Sequence, residues 1–277
     1  MALDTRSSSG GFDAGGYGIL PHYKGVEFDP SVQVFDKVLL RNAMFHYDTF
    51  NMRQEFEEIF GLWTDRAASF YEVRNCTANN VLQSDVVYQD PTRRLVYGKT
   101  LPLLEALSVN IGKTMREGLE QADIVVLTLG LTEVWRHKKT GKHFCLPPDT
   151  GLGGGHGMAE FRPTTFMENY DNMRAIVDMI TTHYPQKHIV ISVSPVHLER
   201  TFTNADVATA SIESKSILRA VAGQITREYK NTTYFPSYEM AQLSGIPVYQ
   251  TDGRHVAPSF TNHVVANFIA SFGGDPR

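Results

Sequence analysis

Cysteine is scarce in this chain. Cys76 and Cys145 are the two among 277 residues, so no disulfide framework organises the fold and stability has to come from packing. Long apolar runs are missing as well. No stretch approaches the roughly 18 consecutive apolar residues of a membrane-spanning helix. The opening MALDTRSSSGGFDAGGYG has no apolar centre of the kind a secretory signal carries. Positive charge is not in surplus: a net charge of −4 and a pI near 6.2 give no electrostatic basis for binding nucleic acid or an anionic membrane. The expectation is a soluble, cytoplasmic chain with neither of those partners.

What is present is a core. Hydrophobic residues make up 42% and charged residues 20%, an ordinary globular balance. The stretch that organises the rest is 122–135, ADIVVLTLGLTEVW. Its apolar run at 124–129 has no period-2 alternation and stops at Gly130, which suits a strand buried on both faces of a parallel sheet. Gly130, Thr132, Glu133 and Trp135 follow at its carboxyl end, where open α/β sheets bind ligands. An amphipathic helix precedes it, with Leu103, Leu107, Ile111, Met115 and Leu119 four apart. Downstream the alternation continues. Phe166, Tyr170, Met173, Val177 and Ile180 mark a helix, HIVISVS (188–194) a second buried strand, and 207–229 a third helix turning Leu218, Val221 and Ile225 inward. A short strand at 233–235 and a last helix at 259–272 complete it. This is the pattern of a doubly wound parallel sheet in an α/β fold.

The N-terminal third is less regular. Residues 1–19 read as a Gly/Ser-rich lead-in, and 32–40 as one strand. Thr49 or Asn51 is expected to cap a helix burying Met52, Phe56, Ile59 and Phe60. Residues 65–97 read as surface loops with weak strand signals near 81–88, and 136–162 as a long aperiodic loop, mobile or functional. With no repeat and no linker, one domain spanning 1–277 is expected.

Candidate chemistry gathers at three strand ends. TDGRHV (251–256) places Asp252 and His255 three apart in a turn or first helical turn. There a carboxylate can fix an imidazole's tautomer and stabilise the imidazolium; an N-capping aspartate beside a surface histidine would look the same. Ser194 follows the second strand, and Thr132–Glu133 could equally open a helix. Trp135 reads as a core or pocket wall. His137, His143, Cys145 and His156 match no closed zinc pattern, so no metal is expected. GLGGGHG (151–157) lacks Walker or Rossmann context and reads as a tight loop or lid. Ser214 and Lys215, neighbours in mid-helix, read as solvated.

Taken together, TLGLTEVW (128–135), SVSPVHL (192–198), SKSILRA (214–220), YFPSYE (234–239), DGRHV (252–256) and DTFNMRQEFE (48–57) resemble the GSCFA domain family across residues 45–272. That family is related to the SGNH/GDSL hydrolases. The resemblance implies a three-layer α/β/α, flavodoxin-like parallel sheet and Ser–His–Asp ester chemistry without a cofactor, as an esterase or O-acyltransferase on a small-molecule or carbohydrate ester. It makes His255 the base and Asp252 its orienting acid, and places Gly130 and Thr132 near the oxyanion, Thr132 standing where SGNH enzymes carry asparagine. His197 departs from a usual SPVPL and brings a second imidazole. The Gly-Ser-Cys-Phe-Ala block that would supply the nucleophile is absent. A shortened chain, a role for Ser7, Ser8 or Ser9, and loss of catalysis all fit. The last would make the domain a binding module for a carbohydrate or protein partner.

Overall fold

The computed structural model describes residues 17–19, 46–78, 82–94, 96–148 and 155–273. In chain order its elements are β1 (Tyr17–Ile19), α1 (Thr49–Ile59), β2 (Tyr71–Ala78), β3 (Leu82–Gln89), β4 (Val96–Gly98), α2 (Leu101–Gln121), β5 (Ile124–Leu129) and β6 (Glu133–His137). There follow β7 (His143–Phe144), β8 (Ala159–Pro163), α3 (Phe166–His183), β9 (His188–Val193), α4 (Val207–Glu228), β10 (Thr232–Phe235), α5 (Ser237–Gln242) and α6 (Pro258–Phe272). The chain divides into two compact units. One is Met1–His46, Phe50–Gln121 and Val134–Arg162; the other is Tyr47–Thr49, Ala122–Glu133 and Pro163–Arg277. The expected strand at 32–40 and most of the lead-in and of the glycine-rich loop lie outside the described residues.

The second unit carries the α/β alternation. Its sheet has the order β10-β9-β5, all parallel, with Val125 opposite Ile189 and Leu129 opposite Val193, and Thr232 opposite Ile189. β9 lies in the middle, with Ile189, Val190, Ile191 and Val193 fully buried. Helices α3 and α4 bury the apolar rows read from the sequence: Met173, Val177 and Ile180 on one, Leu218, Val221 and Ile225 on the other, all at 0% exposure. A capping box of Thr165 and Glu168 starts α3, and the Asp206 carboxylate caps α4, each satisfying backbone N–H groups that a helix start leaves open.

Two expectations are corrected here. β5 is not buried on both faces: Leu127 and Leu129 are buried, whereas Val126 is 48% exposed and Thr128 is exposed. The strand does alternate, but an exposed valine disguises the period. Among the described residues the middle place in the sheet belongs to β9. The last helix, α6, buries Phe260, yet Val265 and Ile269 are exposed, so its apolar composition overstates its packing.

The first unit is antiparallel where loops were expected. Strands β1, β4, β3 and β2 form one sheet in that order, and β7, β6 and β8 a second. Tyr71, Val73, Val87, Val96 and Tyr97 are buried in the first; β4 has only three residues, and the eight-residue β2 and β3 carry polar and charged residues that mask their alternation. Helix α1 buries Met52, Phe56 and Ile59 as its spacing predicts, while Phe60, just past its end, is half-buried and Thr49 and Asn51 lie inside the helix rather than cap it. Beside it lies a buried ionic cluster. Arg93 is fully buried and grips Glu55 with two parallel bonds of 3.0 Å, while Arg66 reaches Glu55, Glu58 and Asp90. Two buried guanidiniums are tolerable because each has carboxylate partners. No helix among the described residues is long and apolar enough to cross a membrane.

Candidate active site

The carboxyl ends of β5 and β9 carry the polar corner in the second unit. Its first part is the turn after β5. Gly130 and Leu131 both donate their backbone N–H to the Tyr47 carbonyl, at 2.8 and 2.9 Å. A side chain at 130 would stand 2.8 Å from that same oxygen, so the turn needs glycine for close approach of two backbones. Thr132 is 5% exposed. Its hydroxyl lies 2.8 Å from Ser214 Oγ, its N–H points to the same oxygen at 3.3 Å, and its carbonyl accepts both the N–H and the hydroxyl of Thr164. Asn169 donates to Thr164 Oγ1 and accepts from Thr49, which extends the polar ladder away from the sheet.

Lys215 completes the corner. The reading of Ser214 and Lys215 as solvated is overturned, since each is 1% exposed. Lys215 Nζ donates to the Gly130 carbonyl at 2.6 Å. No carboxylate is paired with it among the described residues. Burial, and then the charge of Arg254, push its amine down to about 7, because a buried ammonium loses its hydration. The sequence did hold a signal. Ser211, Ser214 and Lys215 lie at helical spacing on the same stripe as Leu218, Val221 and Ile225, so they face the sheet with those residues.

Asp252 and His255 sit in a turn closed by an isolated bridge between Tyr249 and Val256, immediately before α6. Gly253, at φ +66°, takes the left-handed conformation that lets the chain reverse. Asp252 Oδ1 accepts the N–H groups of Arg254 and His255, both at 2.9 Å, and Oδ2 lies 2.5 Å from His255 Nδ1. The bond to the imidazole, followed by those two backbone bonds, holds the Asp252 carboxyl well below the usual range. On the far side of the ring, Arg254 Nη1 lies 3.0 Å from His255 Nε2. A guanidinium can only donate, so Nε2 is the acceptor and Nδ1 carries the hydrogen given to Asp252. That is the tautomer a general base needs. The pair is half exposed, 53% for the histidine side chain and 47% for the aspartate.

Between these parts runs the segment after β9. Ser194 continues the sheet by donating its N–H to Leu129, and its hydroxyl accepts from Val196 N. His197 Nδ1 lies 3.2 Å from Ser211 Oγ, its ring packs 5.0 Å from that of Tyr249, and its carbonyl accepts from Arg254 Nε at 3.0 Å. Burial and the nearby Lys215 charge lower its imidazole. Among the described residues the serine hydroxyl that meets an imidazole is therefore Ser211, and the imidazole is His197 rather than His255.

The structure joins Gly130, Thr132, Ser194, His197, Asp252 and His255 within one unit, through Ser211, Ser214, Lys215 and Arg254. Glu133 is turned to another task. Its carboxylate takes the Thr201 hydroxyl and the Phe202 N–H, bracing the loop before α4, and it opens a strand rather than a helix. Trp135 belongs to the first unit, where its ring lies 5.4 Å from Phe161. There too His137 turns its ring to Thr140 and Cys145 lies 3.8 Å from His46 Nδ1. Ser7, Ser8 and Ser9 lie outside the described residues.

The model of the GSCFA family matches residues 29–268. The chain belongs to the GSCFA family. The match takes in most of both units and every site residue among the described ones. No curated protein sequence matches. Among solved structures, the chain is similar to a Streptococcus pneumonia protein provisionally described as a platelet activating factor, at 16% identity, TM-score 0.29, over 39% of this chain and 51% of that one. It is also similar to a Corynascus thermopiles (Myceliophthora fergusii) carbohydrate esterase family 2 enzyme plus its carbohydrate binding domain, at 19% identity, TM-score 0.30, over 54% of this chain and 36% of that one. The GSCFA chain thus matches about half the length of the first and about a third of the second.

Proposed function

We propose that this GSCFA protein is an ester hydrolase or O-acyltransferase, with the Asp252–His255 pair as its general base and an acylated small molecule or carbohydrate as its substrate. The observation that carries this reading is the 2.5 Å contact from His255 Nδ1 to Asp252 Oδ2, on a carboxylate already anchored by two backbone N–H groups. A carboxylate so held keeps its charge, fixes the ring and stabilises the imidazolium that forms when Nε2 takes a proton. An oxygen nucleophile, a side-chain hydroxyl or water, would give its proton to Nε2 as it attacks the ester carbonyl, and the leaving alkoxide would collect it. The resemblance of DGRHV and TLGLTEVW to the corresponding SGNH blocks supports the same assignment. The test is turnover of p-nitrophenyl acetate together with labelling by a fluorophosphonate. His255→Ala abolishes turnover if the reading holds, and unchanged turnover in that variant removes the assignment.

One observation favours a second reading, a module that binds a carbohydrate or protein partner without reaction. Nε2 is met by Arg254, and among the described residues the serine hydroxyl at an imidazole is on His197. Calorimetric binding of glycans with no product released would select it.

A further inference from the structure

The part of the site that the proposed chemistry leaves over is Arg254. Its guanidinium lies against the lone pair that a general base must keep free. Its bonds within hydrogen-bonding distance go to neutral acceptors, His197 O at 3.0 Å and His255 Nε2 at 3.0 Å. The carboxylate of Glu199 stands off at 3.8 Å from Nη2 and is itself 63% exposed. Of the other acid in the loop, both oxygens are committed: Asp252 Oδ1 to two backbone N–H groups and Oδ2 to His255. Five N–H groups on a guanidinium therefore face two good acceptors, and the charge is not closely neutralised.

The surroundings do not neutralise that charge closely. Lys215 is buried, has no carboxylate paired with it among the described residues and sits near enough to Arg254 for the two charges to oppose one another. His197, whose carbonyl holds Arg254, has an imidazole lowered by burial and by Lys215, so it brings no negative charge to the guanidinium. A guanidinium whose close bonds go to neutral groups, with its one carboxylate neighbour at 3.8 Å, can take an anion in closer contact. A carboxylate or phosphate oxygen makes hydrogen bonds about twice as strong as a neutral acceptor does, and can take a guanidinium in two parallel bonds.

We propose that the substrate carries an anionic group near its ester, and that this group takes the Arg254 guanidinium and so uncovers Nε2 of His255. The inference rests on the hydrolase reading for its consequence, release of the base, but the anion site can be tested without turnover. In the resting protein Arg254 covers the base; an anionic ester draws it away and a neutral ester does not. Selectivity and activation come from one side chain.

The test has two arms, both on the intact chain. In the first, p-nitrophenyl acetate is compared with mono-p-nitrophenyl succinate. The wild type is expected to prefer the succinate ester by about tenfold or more in kcat/KM, the size of one charge-assisted contact. Arg254→Gln brings the two esters within about twofold and raises acetate turnover, and Arg254→Lys restores part of the preference. Equal turnover of both esters by the wild type, or a preference unchanged in Arg254→Gln, overturns the proposal. In the second arm, the ¹⁵N resonance of His255 Nε2, assigned by its loss in His255→Gln, is followed during titration with monomethyl succinate, with dimethyl succinate as the neutral control. A shift with the monoester alone, lost in Arg254→Gln, supports the anion site. No shift overturns it. Should that shift appear while neither ester turns over, the hydrolase reading fails and the anion site stands.

Discussion

The two halves of the candidate site are built in opposite ways. The corner at 130–132 is buried, and its turn is pinned from several sides: two N–H groups to Tyr47, a carbonyl to Lys215, another to Thr164, a hydroxyl to Ser214. The turn at 252–255 is half exposed, and apart from the Arg254 bond to His197 its bonds are internal. A buried polar group has to be paired, so the corner has one arrangement and a change in any member strands another. An exposed turn bonded mostly to itself can exchange a partner for solvent or ligand at little cost. The N–H groups of Gly130 and Leu131 go to Tyr47 and that of Thr132 to Ser214, so the corner holds shape, whereas under the proposed chemistry a base needs an adjustable contact if it is to be uncovered. The contrast assigns shape to one half and control to the other.

That contrast makes predictions of graded size. Asp252→Asn should lower ester turnover by about two orders of magnitude or more, because an amide cannot stabilise the imidazolium, while thermal melting stays close to wild type. A large loss of stability in that variant would mean the exposed turn is as rigid as the corner. Gly130→Ala should do the reverse, destabilising by about 3 kcal/mol in denaturant titration, since the new carbon meets a backbone carbonyl that has nowhere to move.

Lys215 gives a pH signature. Its amine is pushed down to about 7 in the folded chain and returns to the ordinary lysine range on unfolding. Below both values the proton is bound in either state and the burial penalty is present in full. Between them the unfolded chain binds more protons, so stability rises with pH, by at most about 1.4 kcal/mol per unit. Denaturant titrations from pH 6 to 10 should show that rise in the wild type and lack it in Lys215→Met. Parallel curves for the two proteins would contradict it. Thr132→Val, which keeps the shape and removes the hydroxyl shared with Ser214, should cost about 1 kcal/mol. Smallest of all, Val126→Thr on the open side of β5 should stay within about 0.5 kcal/mol.

Much of the second unit could be read in the sequence because its buried rows are long and regular: α3, β9 and α4 appear within a residue or two of their predicted places. The first unit was legible in its helices, since α1 and α2 fall where their apolar spacing puts them, but not in its strands: β4 has three residues and β6 five, and the eight-residue β2 and β3 mix polar and charged positions with apolar ones. At the site, Asp252 and His255 were visible because their contact is local. Ser214 and Lys215 were passed over because lysine is so rarely buried; the stripe they share with Leu218 was the better guide. The partners at Tyr47 and Thr164 depend on chain crossings that no spacing encodes.

Helix α4 presents Ser211, Ser214 and Lys215 to two pieces of chain: the His197 segment, and the 130–132 turn at both Thr132 and Gly130. Its rotational phase is therefore read at three points at once. Inserting one residue between 215 and 218 would turn the polar trio by about 100° relative to the apolar stripe below it, breaking every one of these contacts together while leaving helix content unchanged. An insertion in the loop before Asp206 would leave that phase alone. The tolerance of this helix to length change should switch within a few residues, and the switch marks where the helix stops being scaffold and becomes part of the site.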